Sequence, residues 1–318
     1  MKWLAPALVL ALSPSCVQAP PPPRPQARAA LPAEAAGPAP TEGAEPASEA
    51  AAPPPVAPPY DLAADVEART ERLRAELGPR AKVQVVEGVF LVASPSGAVG
   101  GGASVTSKAL EAYFNGRFAR RPERAVAVLL FETAAPYNAY CKAHWGAACP
   151  SPYGFYSSEV RTVVMNAGPG LGTLTHELVH PIVEADFPKA PDWLNEGIAS
   201  LYEAFSLPRP GEIRGHKNWR LPRLLSALRS PKERPHASLP ALFAMSDGEF
   251  RGDREGLNYA TARYFCQWLD GQQKLWPFYQ AWRDGFVQDP TGQKAFAATM
   301  GKSPEDLDGE WAAWVKSL

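Results

Sequence analysis

The sequence predicts an α+β fold in which short strands come first and helices follow. Apolar runs of strand length occur at 82–93, 125–131 and 161–166. After Phe205 the apolar residues recur mainly at helical spacing. We therefore expect a small mixed sheet in the first half of the folded chain and a mainly helical second half.

Each element is expected from its local pattern. Helices follow from apolar residues at i, i+3 and i+4, and strands from runs rich in Val and Phe. The first half is expected to contain a helix at 61–77, one or two strands within 82–93, a glycine-rich loop at 97–102, a helix at 107–118, a central strand at 125–131 and a helix at 133–144. The second half is expected to contain helices at 217–229, 239–245, 257–270, 272–285 and 304–317, the last capped by Ser303 with Asp306.

Composition separates a folded domain from an N-terminal tether. The chain has 318 residues, 46% hydrophobic and 20% charged, with a formal net charge of −1. This balance gives no electrostatic basis for binding nucleic acid or an anionic membrane surface. Residues 17–60 are mainly Pro, Ala and Glu, so we predict a disordered, semi-stiff tether. The folded domain is then 61–318, with an α/β lobe at 61–185 and a helical lobe at 186–318.

The first sixteen residues have the pattern of an export signal. Lys2 precedes an apolar run at 3–12, which is too short to span a membrane. Cys16 is placed like the lipid-carrying cysteine of a bacterial lipoprotein, although Ser13 stands where a leucine is usual. Ordinary cleavage after Ala19 would leave a proline directly after the cut. We therefore favour a lipid anchor at Cys16, in the bacterial cell envelope, over a periplasmic or secreted form.

The segment His176-Glu177-Leu178-Val179-His180 has the spacing of a metal-binding motif. On a helix, residues i and i+4 share one face about 6 Å apart along the axis, so both imidazoles can bind one metal ion. Glu177 can then reach a water at the metal's open position. Glu196, on a second helix expected at 191–200, would be the third protein ligand. Three protein ligands with one open position are typical of a catalytic zinc site.

These motifs resemble those of a known enzyme family. His176-Glu177-x-x-His180, followed by Trp-Leu-Asn-Glu-Gly-Ile-Ala at 193–199, resembles the gluzincin metallopeptidases, especially the peptidase MA-like group. The resemblance is close over about 160–205 and looser over roughly 105–270. It implies a zincin-like (thermolysin-like) fold and one zinc ion bound by His176, His180 and Glu196. It also implies Glu177 as the general base that hydrolyses a peptide or protein substrate, with Asn195 beside the ligands.

Two departures from the family pattern bear on the activity. The phrase Trp-Leu-Asn-Glu-Gly is similar to the aminopeptidase N branch, whose Gly-x-Met-Glu-Asn motif grips a free amino terminus. The nearest segment here, Val163–Asn166, lacks the glutamate, which favours an endopeptidase over an aminopeptidase. Pro181 follows the second histidine directly and predicts a kink in the helix.

The resemblance also implies a substrate groove and a further donor. In zincins the edge strand ahead of the zinc-binding helix pairs with an extended substrate, which would place the groove beside Thr162–Asn166. An ordinary edge strand is the alternative. Tyr259 is the first candidate for a catalytic donor to the developing oxyanion, and local packing of its hydroxyl is the alternative. His216 is a weaker candidate.

Three acidic residues near the motif have open roles. Glu184 lies one helical turn beyond His180 and is expected to be out of reach of the metal. Asp186 and Glu203 are both candidates for orienting a ligand imidazole through its second ring nitrogen. The sequence does not choose between them.

Three cysteines fall in the folded part. Cys141 and Cys149 would close the shortest disulfide loop, and either could pair with Cys266 instead. Cys266 lies in an apolar helical pattern, which favours a buried free thiol.

A non-catalytic binding or scaffold module at the cell surface is the alternative function. Such a module would retain the zincin frame without turnover, and the intact Glu177 argues against it. A peptidoglycan-directed amidase or endopeptidase would share the chemistry, but it resembles other zinc families more. The oligomeric state is not fixed by the sequence.

Overall fold

The structure is a computed structural model that describes residues 60–318. The predicted export signal, the Cys16 anchor and almost all of the tether predicted at 17–60 lie outside these residues. The strands are β1 (Lys82–Val86), β2 (Phe90–Ser94), β3 (Val126–Phe131), β4 (Gly154–Ser157), β5 (Thr162–Asn166), β6 (Phe205–Ser206) and β7 (Arg214–Gly215). The helices are α1 (Leu62–Leu77), α2 (Gly100–Phe114), α3 (Ala134–Trp145), α4 (Gly172–Asp186), α5 (Asp192–Leu201), α6 (Leu221–Arg229), α7 (Leu239–Ala244), α8 (Asp247–Phe250), α9 (Glu255–Gly271), α10 (Leu275–Gly285), α11 (Gln293–Met300) and α12 (Pro304–Ser317).

The first half of the described chain builds a mixed five-stranded sheet. The strand order is β1-β2-β3-β5-β4. Strands β2, β3 and β5 run parallel, whereas β1 and β4 are antiparallel to their neighbours. Strand β3 lies in the centre with every residue buried, as the continuous apolar run at 125–131 predicts. The predicted α+β class with a small mixed sheet is therefore confirmed.

The strand directly before α4 is not an edge strand, so that part of the sequence prediction is wrong. Thr162–Asn166 pairs in parallel with β3 on one side and antiparallel with β4 on the other. Its backbone groups are thus already used within the sheet, and no substrate can add beside it. The edge is β4, which the sequence analysis missed because four residues are too few for a strand pattern to stand out.

The sheet separates two apolar cores, because alternate strand residues point to opposite faces. One face, which includes Leu91, Leu129 and Val164, packs with residues of α1 and α3. The other face, which includes Val92, Leu130 and Val163, packs against α2 and α4 and is continuous with the helical second half. The helices that carry the histidines and Glu196 belong to this second, larger core.

Helix α2 begins earlier than its sequence predicts. The glycine-rich run 97–102 is expected to be a loop, but Gly100–Gly102 form the first turn of the helix. A Cβ placed on Gly102 would lie 2.1 Å from Leu130 Cδ1 on the central strand. The glycine therefore permits a close approach of helix to sheet, which outweighs the low helix propensity of glycine.

Helices α4 and α5 lie beside one another and carry the motif residues. Helix α4 continues past Pro181 to Asp186. Helix α5 begins at Asp192, within the predicted segment 191–200, and Pro191 is at the N-cap position. At Gly197, α5 crosses α9 so closely that a Cβ would lie 2.9 Å from Cys266 Sγ and 3.0 Å from the Ala262 carbonyl oxygen. This contact places α5 directly against α9.

The second half is mainly helical, as predicted. Ser303 and Asp306 form a capping box at the start of α12. Helices α8 and α11 and the short β6–β7 pair are not predicted from the sequence, since these elements are only two to eight residues long. None of the helices within residues 60–318 combines the length and apolar character that a membrane span requires.

The cysteines adopt one of the pairings that the sequence leaves open. Cys141 in α3 is bonded to Cys149, with 5.3 Å between their Cα atoms. Cys266 is a buried free thiol on α9, as its apolar helical surroundings predict. Burial raises the pKa of this thiol, which argues against a role as a nucleophile.

Candidate metal centre

Two histidines and one glutamate converge between α4 and α5. His176 Nε2 lies 3.2 Å from Glu196 Oε2, and His180 Nε2 lies 4.0 Å from the same oxygen. One donor atom from each of the three residues lies within 4.8 Å of the other two. All three side chains are buried, at 2–7% relative exposure. The structure thus brings together the three residues that the motif spacing selects.

The distances between the nitrogen and oxygen atoms of His176, His180 and Glu196 fit the coordination of one metal ion. Two ligands of a tetrahedral zinc ion lie about 3.3 Å apart when each bond is ~2.0–2.1 Å, and the observed separations of 3.2 and 4.0 Å bracket that distance. Burial alone would lower the pKa of the His176 imidazole, but its contacts with Glu196 and Glu203 outweigh burial and raise that pKa to about 10. The surroundings therefore favour positive charge. The buried His176–His180–Glu196 group can hold a metal ion.

Glu177 lies beside the three donors. Its side chain is 2% exposed, and its Oε2 is 3.7 Å from His180 Nε2. Within residues 60–318, this oxygen is buried and makes no hydrogen bond. A buried carboxylate oxygen without a hydrogen bond is costly in a resting protein. Its position next to the donors is the one that a proton-accepting group would need.

The second ring nitrogen, Nδ1, of each of the two histidines contacts a different side chain. His180 Nδ1 lies 3.0 Å from Asn195 Oδ1, in the position that the family resemblance implies for this asparagine. His176 Nδ1 lies 3.4 Å from Glu203 Oε1, an ion-pair distance without a hydrogen bond among residues 60–318. Of the two acids that the sequence leaves open, Glu203 is therefore the one beside a histidine of the candidate metal centre.

Asp186 has a structural role instead. Its carboxylate is fully buried and accepts hydrogen bonds from Arg283 and from the backbone N–H groups of Ala119 and Arg120. It ties the end of α4 to α10 and to the segment after α2. Glu184 is exposed and accepts a hydrogen bond from the Tyr156 hydroxyl at 2.9 Å, away from the donors as expected.

Glu203 is held in its charged form by an arginine. Arg220 donates to both carboxylate oxygens, at 2.8 and 3.1 Å. Burial alone would raise the pKa of Glu203, but Arg220 and His176 lower it to about 2. The acid behind His176 is thus an anion over the whole neutral range.

Arg251 also belongs to this site, although no sequence pattern predicts it. It lies in the loop between α8 and α9, and its Nη2 donates to Glu196 Oε1 at 2.8 Å. Its Nε donates to Asp192 Oδ2 at 2.7 Å. No local pattern signals this role, because Arg251 and Glu196 are 55 residues apart in the chain.

Tyr259 lies next to Arg251 on α9. Its hydroxyl oxygen accepts a hydrogen bond from Arg251 Nη1 at 2.5 Å. The guanidinium carbons of Arg220 and Arg251 lie 4.7 and 5.6 Å from the centre of its ring. Tyr259 is therefore one side chain away from Glu196, and its role as an oxyanion donor stays a prediction. His216, the weaker candidate, is exposed and contacts Ser206 Oγ at 2.8 Å.

A cleft opens beside the donors. It has a volume of about 420 Å³, and its lining includes His180 and Glu196 from the donor group and Arg251. Tyr156 and Ser158, from the edge strand β4 and the residue after it, line it as well. The donor group is therefore open to a cavity that the free sheet edge borders.

Comparison with known proteins leaves the family open. No protein-family model matches the chain, and no curated protein is similar enough to count as a relative. The functional inference therefore depends on the geometry of this site and on the resemblance of its two motifs.

Proposed function

We propose that this protein is a zinc-dependent metallopeptidase of the gluzincin type, with a zincin-like arrangement of sheet and helices. The observation that carries the proposal is the meeting of His176, His180 and Glu196 in one buried group, with Glu177 beside it. Two nitrogen donors and one carboxylate, with no fourth protein ligand in the group among residues 60–318, match the donor set of catalytic zinc. A structural zinc site would be closed by a fourth ligand.

The three donors would hold the ion, and Glu177 would move the protons. Zinc, when bound, supplies a Lewis acid that polarises the scissile carbonyl and lowers the pKa of a water in its open position. The Glu177 carboxylate takes a proton from the attacking water and passes it to the leaving amine. Its buried oxygen without a hydrogen bond is available for that transfer.

Tyr259 is the proposed donor to the carbonyl oxygen of the substrate as negative charge develops there. Arg251 donates to the phenol oxygen, and such a donation makes the phenol O–H a stronger hydrogen-bond donor. The cation also stabilises the negative charge that the phenol oxygen gains as it donates its proton. These contacts support Tyr259 over His216, which is exposed and bound to a serine.

The proposed substrate is an extended peptide or protein segment. The edge strand β4 borders the cleft and has one side free of strand partners among the described residues. We therefore transfer the strand-addition prediction from Thr162–Asn166 to Gly154–Ser157. The lack of a Gly-x-Met-Glu-Asn motif favours cleavage within a chain over removal of its first residue. From the N-terminal pattern we also propose export and a lipid anchor at Cys16.

Metal analysis of the purified protein tests the proposal, with Glu196→Ala as the ligand variant. Glu184→Ala is a matched control, because Glu184 lies on the same helix as the histidines but faces Tyr156. We expect about one zinc ion per chain in the wild type and in Glu184→Ala, and little in Glu196→Ala. A wild-type protein that takes up no divalent metal would end the proposal.

Digestion of a broad peptide library, read by mass spectrometry, separates an enzyme from a binding module. We expect cleavage at internal bonds that a chelator abolishes and added zinc restores. Zinc-loaded wild type that cleaves no member of the library would favour the non-catalytic cell-surface module instead.

A further inference from the structure

Arg251 divides the two oxygens of Glu196 between two tasks. Glu196 Oε2 faces the histidines, 3.2 Å from His176 Nε2. Glu196 Oε1 accepts a hydrogen bond from Arg251 Nη2 at 2.8 Å. Glu196 is 2% exposed, whereas the Arg251 side chain is 31% exposed and reaches the cleft. The carboxylate is therefore held from behind by a cation that does not belong to the donor group.

The guanidinium itself is held at several points. Its Nε donates to Asp192 Oδ2 at 2.7 Å, and its Nη1 donates to the Tyr259 hydroxyl at 2.5 Å. Asp192 and Glu196 are one turn apart on α5, so the arginine spans one face of that helix. The backbone N–H of Asp192 also donates to Asp247 Oδ1 at 2.8 Å, which fastens α5 to α8, just before Arg251 in the chain. With its three acceptors on packed helices, the guanidinium has little freedom to turn.

We propose that Arg251 is a positioning residue that makes Glu196 bind the metal through Oε2 alone. This inference rests on the proposed metal site and adds a residue outside the family motif. An arginine that occupies Oε1 prevents the carboxylate from turning both oxygens toward the ion. One coordination position is thereby kept open for water and substrate, as catalytic chemistry requires.

The same contact would keep the site preformed without metal. A buried carboxylate is costly unless a cation compensates it, and Arg251 supplies that compensation beside Glu196. The Glu196 carboxylate would then already be ordered before the ion binds. Residues that orient metal ligands in this way are typically worth about 10–100-fold in metal affinity.

The shape of the side chain matters as well as its charge. A planar guanidinium has donors in a fixed fork and can reach Asp192, Tyr259 and Glu196 together. A lysine ammonium carries the same charge at a single point and cannot span these three acceptors. A positioning role therefore predicts that lysine fails to replace Arg251.

The test measures zinc affinity of the purified protein by competition with a chromophoric chelator, for wild type, Arg251→Met and Arg251→Lys. The control is Arg234→Met, because Arg234 has a similar exposure of 29% and pairs with Asp308 on α12, away from the donor group. We expect about 10–100-fold weaker zinc binding in both Arg251 variants and an unchanged affinity in Arg234→Met.

Cobalt(II) substitution gives a second readout that loss of stability alone would not move. We expect strong visible absorption from the four-coordinate wild type and weaker absorption in Arg251→Met, because a released Glu196 would bind through both oxygens. Wild-type zinc affinity and a wild-type cobalt spectrum in Arg251→Met would overturn the proposal. Full recovery in Arg251→Lys would also overturn it, since charge alone would then suffice.

The wild-type arm separates this inference from the proposed function. If Arg251→Met does not fold, Arg251→Lys carries the same expectation. A wild type that binds zinc, with variants that bind it equally well, refutes only the positioning role. A wild type that binds no zinc refutes the metallopeptidase itself.

Discussion

Glu177 and Glu196 are equally buried, at 2% exposure each, yet their surroundings differ. On α5, Glu196 has Arg251 on one oxygen and His176 on the other. On α4, Oε2 of Glu177 is buried without a hydrogen bond within residues 60–318. Both oxygens of Glu196 thus have contacts that hold the carboxylate in place, whereas one oxygen of Glu177 makes no hydrogen bond within residues 60–318.

This difference matches the two proposed tasks. A ligand carboxylate must keep one orientation, and a nearby guanidinium makes it a weaker proton acceptor. A general base must accept and release a proton, so a permanent cation beside it would hinder its work. The anchored acid is the proposed ligand, and the uncommitted acid is the proposed base.

Exchange of Glu177 for glutamine should have the largest effect on activity. Glu177→Gln removes the proton acceptor but no metal donor, so we expect zinc content to be unchanged and kcat/KM for a peptide to fall by about three orders of magnitude. Kinetic assays and metal analysis of the same preparation measure both quantities. Glu310→Gln, at an exposed position of α12, is the control. Retained peptidase activity in zinc-loaded Glu177→Gln would count against the proposed division of roles.

Replacement of Glu203 or Asn195, which contact the second ring nitrogens of the two histidines, should have an intermediate effect and should act on zinc affinity. Glu203→Gln removes a charged partner of His176, and Asn195→Ala removes a neutral partner of His180. A contact in which one partner is ionised is roughly twice as strong as a contact between neutral groups. We therefore expect zinc affinity to fall by about 10–100-fold in Glu203→Gln and by less in Asn195→Ala.

Chelator competition on both variants checks this order. Thermal unfolding of the metal-free proteins should be measured in parallel, because Glu203→Gln also weakens a buried contact with Arg220. A larger loss of affinity in Asn195→Ala would show that the charged side is not the stronger support.

The disulfide should have the smallest effect on the metal site. Cys141 and Cys149 pack in the core on the opposite face of the sheet from α4. Replacement of both by serine opens a short loop, and we expect the free energy of unfolding to fall by about 2–3 kcal/mol. Zinc affinity should not change. Denaturant unfolding and chelator competition measure the two quantities, and a variant that loses zinc while folded would contradict the separation of the two cores.

The parts of the site that depend on spacing along one helix could be predicted from the sequence. His176 and His180 share a helix face because of their spacing, and Asn195 and Glu196 follow on the next helix. Arg251 could not be found in this way, since its contact with Glu196 depends on how α8 and α9 pack against α5. Asp186 and Glu203 looked alike in the sequence, and only the tertiary partners Arg283 and Arg220 distinguish them.

The features of the fold that are not predictable from the sequence also depend on tertiary packing. The apolar run at 125–131 predicted the central strand because burial on both faces leaves a local signal. The order of strands leaves none, so Thr162–Asn166 was wrongly placed at the edge. The start of α2 was missed because the reason for Gly102 lies across the sheet at Leu130.

The close contact at Gly197 has a consequence for the position of Glu196. This glycine directly follows Glu196, and it has no room for a methyl group against Ala262 and Cys266. The gap between α5 and α9 at this point is therefore limited by the Ala262 carbonyl oxygen and the Cys266 sulfur. Any larger side chain at this point would have to wedge the two helices apart and would carry Glu196 with it. The absence of a side chain at Gly197 thus determines where the Glu196 carboxylate lies relative to the two histidines.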